Sequence, residues 1–201
     1  MIKAADIIEF EEEIAQLYKD GKIKGVVHLR SGNEEQLIEI FKEIRPQDHV
    51  FNYWASHAHA LLKGIPREQV KQRILDGYSI SLCFPEYNFY CSGILGSLCG
   101  VALGVAFALK KEKSDAKAYL FVGDMQSHLG LLCETIQYAY NHELPLKVIV
   151  ENNGFSVLTP TLECWDGDPW WVGTKYESII QSYTYENGYA HNGIVKGKVS
   201  L

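Results

Sequence analysis

With 201 residues, 47% of them hydrophobic, the chain can bury one sizeable core, and a single domain over 1–201 is expected. A net charge of −6, from 25 acidic against 19 basic side chains, leaves no basic face for non-specific nucleic-acid binding. Cys83, Cys91, Cys99, Cys133 and Cys164 are odd in number, form no CxxC pair and fall mostly in apolar runs. They read as buried thiols of a cytoplasmic protein rather than a disulfide or metal framework.

The first twenty residues, MIKAADIIEFEEEIAQLYKD, place apolar and acidic positions at helical spacing. They read as an amphipathic helix stopped at Asp20-Gly21, not as a signal peptide. A glycine-punctuated segment runs to Gly32, followed by a helix over 33–44, a short segment from Val50 to Trp54 and a helix over 66–76. Residues 87–109 carry no charge and reach the length of a membrane span. Ser92, Ser97, four glycines and the strand-like start YNFYC argue instead for a strand and then a helix over 94–111, so no membrane is expected. Gly96, Gly100, Gly104 and Ala108 recur there at four-residue spacing, a stripe that lets another helix approach closely.

AYLFV (118–122) is an apolar strand closed by Gly123-Asp124. Leu129, Leu132, Cys133, Ile136 and Tyr140 then set a helix over 127–142, which Leu144-Pro145 ends, and KVIVENN gives a second strand. If the strands are parallel, Asp124 and Asn153 both lie at carboxyl ends, where open α/β sheets bind ligands. A carboxylate and a carboxamide oxygen suit Mg²⁺, which takes further oxygens from water and phosphate. Asp124 would equally cap the helix behind it, and Asn152-Asn153 would equally form a plain turn. Beyond them GFSVLTPT reads as a loop, KYESIIQSYTYEN as a helix and GYAHNGIVKGKVSL as a terminal loop and strand. The alternation predicts an α/β fold with a mostly parallel sheet flanked by helices, and neither nucleotide-binding glycine motif is present.

Gly123-Asp124, Gly130, Glu134, Leu144-Pro145 and Glu151-Asn152-Asn153 together resemble the thiamine diphosphate motif, G-D-G at its start and N-N at its end. Three further segments agree in order. Gly25, His28-Leu29, Gly32 and Glu34 resemble G-x-x-H-L-x-x-G-Q-E; His57, His59, Leu62 and Gly64 resemble H-R-G-H-G-H-x-L-x-x-G; Gly93-Ile94-Leu95-Gly96 resembles G-I-V-G. This order over residues 10–160 is similar to the alpha subunits of 2-oxo acid dehydrogenase first components, with the thiamine diphosphate-binding fold.

The resemblance implies that Asp124, Asn153 and the Phe155 carbonyl hold Mg²⁺, with Gly123, Met125 and Gln126 in the same motif beside the diphosphate. It places the backbone of Gly93 and Leu95 against the aminopyrimidine ring, and nominates His57, His59 and His128 as acid-base groups. His28 would order its own segment. The carboxylate that activates the cofactor would come from a pyrimidine-binding beta-type partner in a heterotetramer acting on a small 2-oxo acid or ketose, by decarboxylation or two-carbon transfer.

Met125 stands in place of the second glycine, Ala55 in place of an arginine that pairs with the diphosphate, and Ser81 near the place of a family histidine. The chain also ends soon after the motif, so a truncated alpha-type domain is expected. A subunit that kept the fold and interface but lost the cofactor is the alternative.

Overall fold

The computed structural model describes residues 2–189. In chain order the helices are α1 (Ala4–Lys19), α2 (Glu34–Phe41), α3 (His57–Leu62), α4 (Arg67–Leu75), α5 (Cys99–Lys111), α6 (Gly130–Asn141) and α7 (Thr161–Cys164). The strands are β1 (His49–Tyr53), β2 (Cys83–Phe84), β3 (Phe89–Ser92), β4 (Ala118–Gly123), β5 (Leu146–Asn152), β6 (Phe155–Ser156), β7 (Thr159–Pro160) and β8 (Ile180–Thr184). They fall into two compact units. The first gathers the chain to Pro46, Trp54–Gly93 and the segment from Tyr185; the second holds Gln47–Tyr53 and Ile94–Thr184.

In the second unit β1, β4, β5 and β8 lie side by side, each pair parallel. Burial on both faces explains the unbroken apolar runs: Ala118, Leu120, Phe121, Val122, Val148 and Ile149 are each at most 1% exposed. Removing each large side chain from water contributes about 1.5–3 kcal/mol. Helix α5 packs on β4 and against α6, so the mostly parallel sheet carries helices as expected.

The first unit packs α1, α2, α3 and α4, with the antiparallel pair β2 and β3. Ile7, Phe10 and Ile14 form the buried stripe of α1. On its outer side Glu13 meets Arg67 at 2.7 Å and Lys71 at 3.1 Å, tying α1 to α4 by half-exposed ion pairs of modest strength. Gly32 cannot be replaced without rearrangement: its φ is +95°, and a Cβ there would stand 2.1 Å from the Glu186 carbonyl oxygen.

Four expectations need correction. KYESIIQSYTYEN is not a helix: a 3-10 turn, Lys175–Ile179, leads into β8. Ile180, Tyr183 and Thr184 favour extended backbone, and β8 pairs with β5 along Val148–Asn152, which outweighs weak helical spacing. The helix expected over 94–111 begins at Cys99, because Gly96 takes a φ of +79°. The helix expected over 127–142 begins at Gly130, after a 3-10 turn over Met125–His128. Only Cys91 and Cys99 are buried thiols, each pushed up to about 11 chiefly by burial, whereas Cys83 and Cys164 are exposed.

The segment His57–Leu62, left unassigned by periodicity, forms the short helix α3. The uncharged run 87–109 is divided between β3, a turn and α5, and among the described residues no helix is long and apolar enough to cross a membrane. The terminal strand expected in GYAHNGIVKGKVSL falls largely on 190–201, outside the described residues.

Candidate functional site

Strands β4 and β5 run parallel with Gly123 opposite Glu151, so Asp124 and Asn152-Asn153 emerge together at their carboxyl ends. Asp124 is only 5% exposed. Burial raises its pKa above the ordinary carboxylate value. The Thr161 hydroxyl, which donates to Oδ2, and the nearby backbone N–H groups of Asp124, Met125 and Asn153 oppose that rise. No cap is made to α6, which starts six residues later.

The two asparagines shape the turn that follows. Asn152 Oδ1 accepts from the Gly154 N–H at 2.9 Å, and Asn153 Oδ1 accepts from the Phe155 N–H at 3.1 Å. These are Asx turns, with Gly154 at a φ of +77°. Each carboxamide oxygen keeps a second lone pair. β6 and β7 then form a small hairpin, and Thr161 N–H donates to the Gly154 carbonyl at 2.9 Å. That closure returns Thr161 to Asp124.

A cavity of about 380 Å³ opens beside Asp124, with His128, Asn152, Thr161, Asp168 and Trp171 among its walls. The His128 ring stacks on Trp165, centroids 5.0 Å apart and planes at 4°, and the Trp165 indole donates to Met125 Sδ at 3.1 Å. Burial lowers the His128 pKa, with the Asp124 charge working the other way. His128 is therefore neutral at neutral pH, able to give or take one proton at a ring nitrogen.

The donor set fits a hard divalent cation. Asp124 and Asn153 follow the adjacent ends of the paired strands β4 and β5, and the Phe155 carbonyl comes two residues on. All three groups supply oxygen. Among the described residues no cluster of three His, Cys, Asp or Glu side chains exists, so a cation here would depend on amide and backbone oxygens. Gln126 leaves its buried Oε1 without a hydrogen-bond partner, as a polar group that serves a ligand would.

The other nominated histidines lie in the first unit, buried on α3. His57 Nδ1 is 3.2 Å from Glu11 Oε2 and its Nε2 is 2.8 Å from Ser79 Oγ, which also accepts the His28 backbone N–H at 3.3 Å. One proton arrangement satisfies the whole chain: His28 N–H to Ser79, Ser79 O–H to Nε2, and Nδ1–H to Glu11. That role is an anchor. His59 is fully buried, edge-on to Phe41 at 5.8 Å.

Gly93 belongs to the first unit, where a Cβ would touch Ile80 at 3.0 Å, and Leu95 belongs to the second with Gly123, Asp124, Met125, Gln126, His128, Asn153 and Phe155. Ala55, in the place of the family arginine, accepts at its backbone carbonyl a hydrogen bond from Arg30 at 3.4 Å, and the Arg30 guanidinium lies 4.6 Å over the Tyr185 ring. Ser81 closes a 3-10 turn, Ser79–Ser81.

Sequence reasoning missed Glu11, Ser79, Thr161 and Trp165. Glu11 carried a signal, since it sits on the buried stripe of α1 between Phe10 and Ile14. Thr161 carried none, because its place depends on the hairpin closure.

A pH effect follows from Asp124. A carboxyl with its folded pKa above the unfolded value binds the extra proton in the native state, so this contribution to stability is present at low pH and lost as pH rises through the raised value. Thermal unfolding of the metal-free chain across that acidic range should show the loss in the wild type and not in Asp124→Asn.

A family model described as dehydrogenase E1 component matches residues 2–166. The chain is 29% identical to the mitochondrial pyruvate dehydrogenase E1 component subunit alpha type II of Ascaris suum, over 76% of this chain and 41% of that protein. It is 30% identical to the chloroplastic subunit alpha-3 of the same component from Arabidopsis thaliana, over 74% of this chain and 38% of that protein. With subunit alpha from Rickettsia prowazekii (strain Madrid E) the identity is 30%, over 75% and 49%. The chain thus spans less than half the length of these relatives.

Proposed function

The chain belongs to the dehydrogenase E1 component family, and from that premise we propose that it is the alpha-type part of a thiamine diphosphate- and Mg²⁺-dependent enzyme that decarboxylates a 2-oxo acid. The observation that carries the reading is the adjacency of Asp124 and Asn152-Asn153 at the carboxyl ends of β4 and β5, with Asp124 and Asn152 on the wall of a cavity. The relatives named pyruvate dehydrogenase favour a 2-oxo acid over a ketose.

Asp124, Asn153 and the Phe155 carbonyl would hold the cation against the diphosphate, with Gly123, Met125 and Gln126 beside it. Bound thiamine diphosphate supplies a carbon nucleophile and an electron sink. The chain's own part is then to grip, to orient and to exclude water. Neutral His128, on the cavity wall, would hold a proton at a ring nitrogen within the same unit as Asp124.

Partner and compartment belong to the same proposal. A beta-type subunit with a pyrimidine-binding domain would complete a heterotetramer and bring the activating carboxylate. Helix α5 supports this: Gly100 and Gly104 have open space where a Cβ would stand, and Val101 and Phe107 beside them are exposed. Free cysteines suit a reducing cytoplasm.

The test is to co-purify the chain with its beta-type partner, add thiamine diphosphate and Mg²⁺, and follow CO₂ release from a panel of 2-oxo acids. Substrate-dependent release supports the reading. A complex that loads cofactor yet releases no CO₂ from any of them sinks the decarboxylase assignment, and one that loads no cofactor points to the non-catalytic alternative.

A further inference from the structure

Asp124 leaves the end of β4, whereas Asn153 and the Phe155 carbonyl belong to the turn after β5, so two separate stretches of backbone must be held in register to serve one cation. The Asx turns order the second stretch only within itself. Thr161 bridges the two. Its hydroxyl donates to Asp124 Oδ2, and its backbone N–H donates at 2.9 Å to the carbonyl of Gly154, the residue between Asn153 and Phe155. Its neighbour Pro160 is the partner of Phe155 across the hairpin of β6 and β7.

We propose that Thr161 is a positioning residue of the metal site: its hydroxyl orients the Asp124 carboxylate, and its N–H and hairpin fix the turn that carries Asn153 and Phe155. This rests on the function proposed above. An ionised carboxylate has about four lone-pair sites, so one hydroxyl bond sets its rotation and still leaves it able to coordinate. Thr161 is 8% exposed, and water competes little for either contact. Its segment is also attached to the motif at its far end: the Thr161 carbonyl accepts the Trp165 N–H at 3.0 Å, and Trp165 stacks on His128 and donates to Met125 Sδ. Met125, in place of a family glycine, thereby helps to hold the bridging segment.

Positioning matters most for Mg²⁺, which demands a near-ideal octahedral shell, whereas Ca²⁺ accepts irregular ones. Disturbing an outer partner of a metal ligand costs about 10–100-fold in affinity. Thr161→Val keeps the shape and the backbone N–H and removes the hydroxyl; Thr161→Ser keeps the hydroxyl. The full chain, alone or with its partner according to which preparation binds, is titrated calorimetrically with Mg²⁺ and with Ca²⁺ in the presence of inorganic pyrophosphate, and again with thiamine diphosphate.

Thr161→Val should bind Mg²⁺ about 10–100-fold more weakly than the wild type with either diphosphate, with a smaller loss for Ca²⁺, and Thr161→Ser should match the wild type. A role confined to stability would lower the melting temperature and leave the ratio of Mg²⁺ to Ca²⁺ affinity where it was. An unchanged ratio, or Mg²⁺ affinity equal to the wild type's, in a folded Thr161→Val overturns the positioning role. If Thr161→Val does not fold, a crystal structure of the wild type loaded with Mg²⁺ and pyrophosphate decides: a hydroxyl still on Asp124 Oδ2 supports the role, and one turned away overturns it. A wild type that takes up neither diphosphate in any preparation overturns the function proposed above, and the role of Thr161 falls with it.

Discussion

Asp124→Ala should abolish measurable uptake of Mg²⁺ and thiamine diphosphate while leaving the chain folded. Disturbing even an outer partner of a metal ligand costs about 10–100-fold in affinity, so removing the only carboxylate of a three-oxygen set should cost at least ~100-fold. Asn153 and the Phe155 carbonyl are neutral, and a divalent cation needs a countercharge. The fold has reason to survive: Asp124 is buried with a raised pKa, which means the native state bears the charge at a disadvantage. Calorimetric titration paired with thermal unfolding checks both halves. Retained affinity in a folded Asp124→Ala protein would move the metal site elsewhere.

Glu11→Ala should destabilise the chain by about 3 kcal/mol, a drop in Tm of ~6–12 °C. The reason is the chain Glu11, His57, Ser79 and the His28 backbone, all buried in the first unit. Without the carboxylate, His57 Nδ1–H loses its acceptor where water cannot replace it, and the helix α1 loses a link to α3 and the 3-10 turn at Ser79. Glu11→Gln retains an acceptor oxygen and should recover most of the loss. Urea or thermal unfolding of both variants decides the matter. If Glu11→Ala melts with the wild type, the buried chain is not holding these segments together.

This network also bears on His57 itself. Both of its nitrogens are engaged by protein groups, so the geometry favours anchoring over proton transfer. His128 is the nominated histidine that lines the cavity with Asp124.

Much of the scaffold could be read from spacing. The motif unit from Ala118 to Asn153 was legible because a parallel strand buried on both faces must be apolar without alternation, and because α6 shows helical spacing on one face. β8 was illegible, since five residues with Ile180 and Tyr183 satisfy a helix and a strand almost equally. The free side of β5 decides between them. The start of α5 was misplaced because a glycine at positive φ looks the same in sequence as one inside a helix.

The site divides along the same line. Asp124 and Asn153 could be located because each follows directly on a strand. Thr161 and Trp165 could not, because they reach the motif through a hairpin whose only local signs are Gly154 and Pro160. Glu11 stood in plain view as a charge among buried apolar neighbours, and its partner could be named only once α3 and the Ser79 turn were placed beside α1.

The carboxyl ends of β4 and β5 are proposed to form a Mg²⁺-diphosphate anchor, and everything said of the function depends on it. Isothermal titration of thiamine diphosphate into the chain with and without Mg²⁺, alone and with its beta-type partner, tests it most directly. Saturable heat that requires Mg²⁺ and disappears in Asp124→Ala is the predicted result. No heat in either preparation, or binding indifferent to Mg²⁺ and to Asp124, would contradict it.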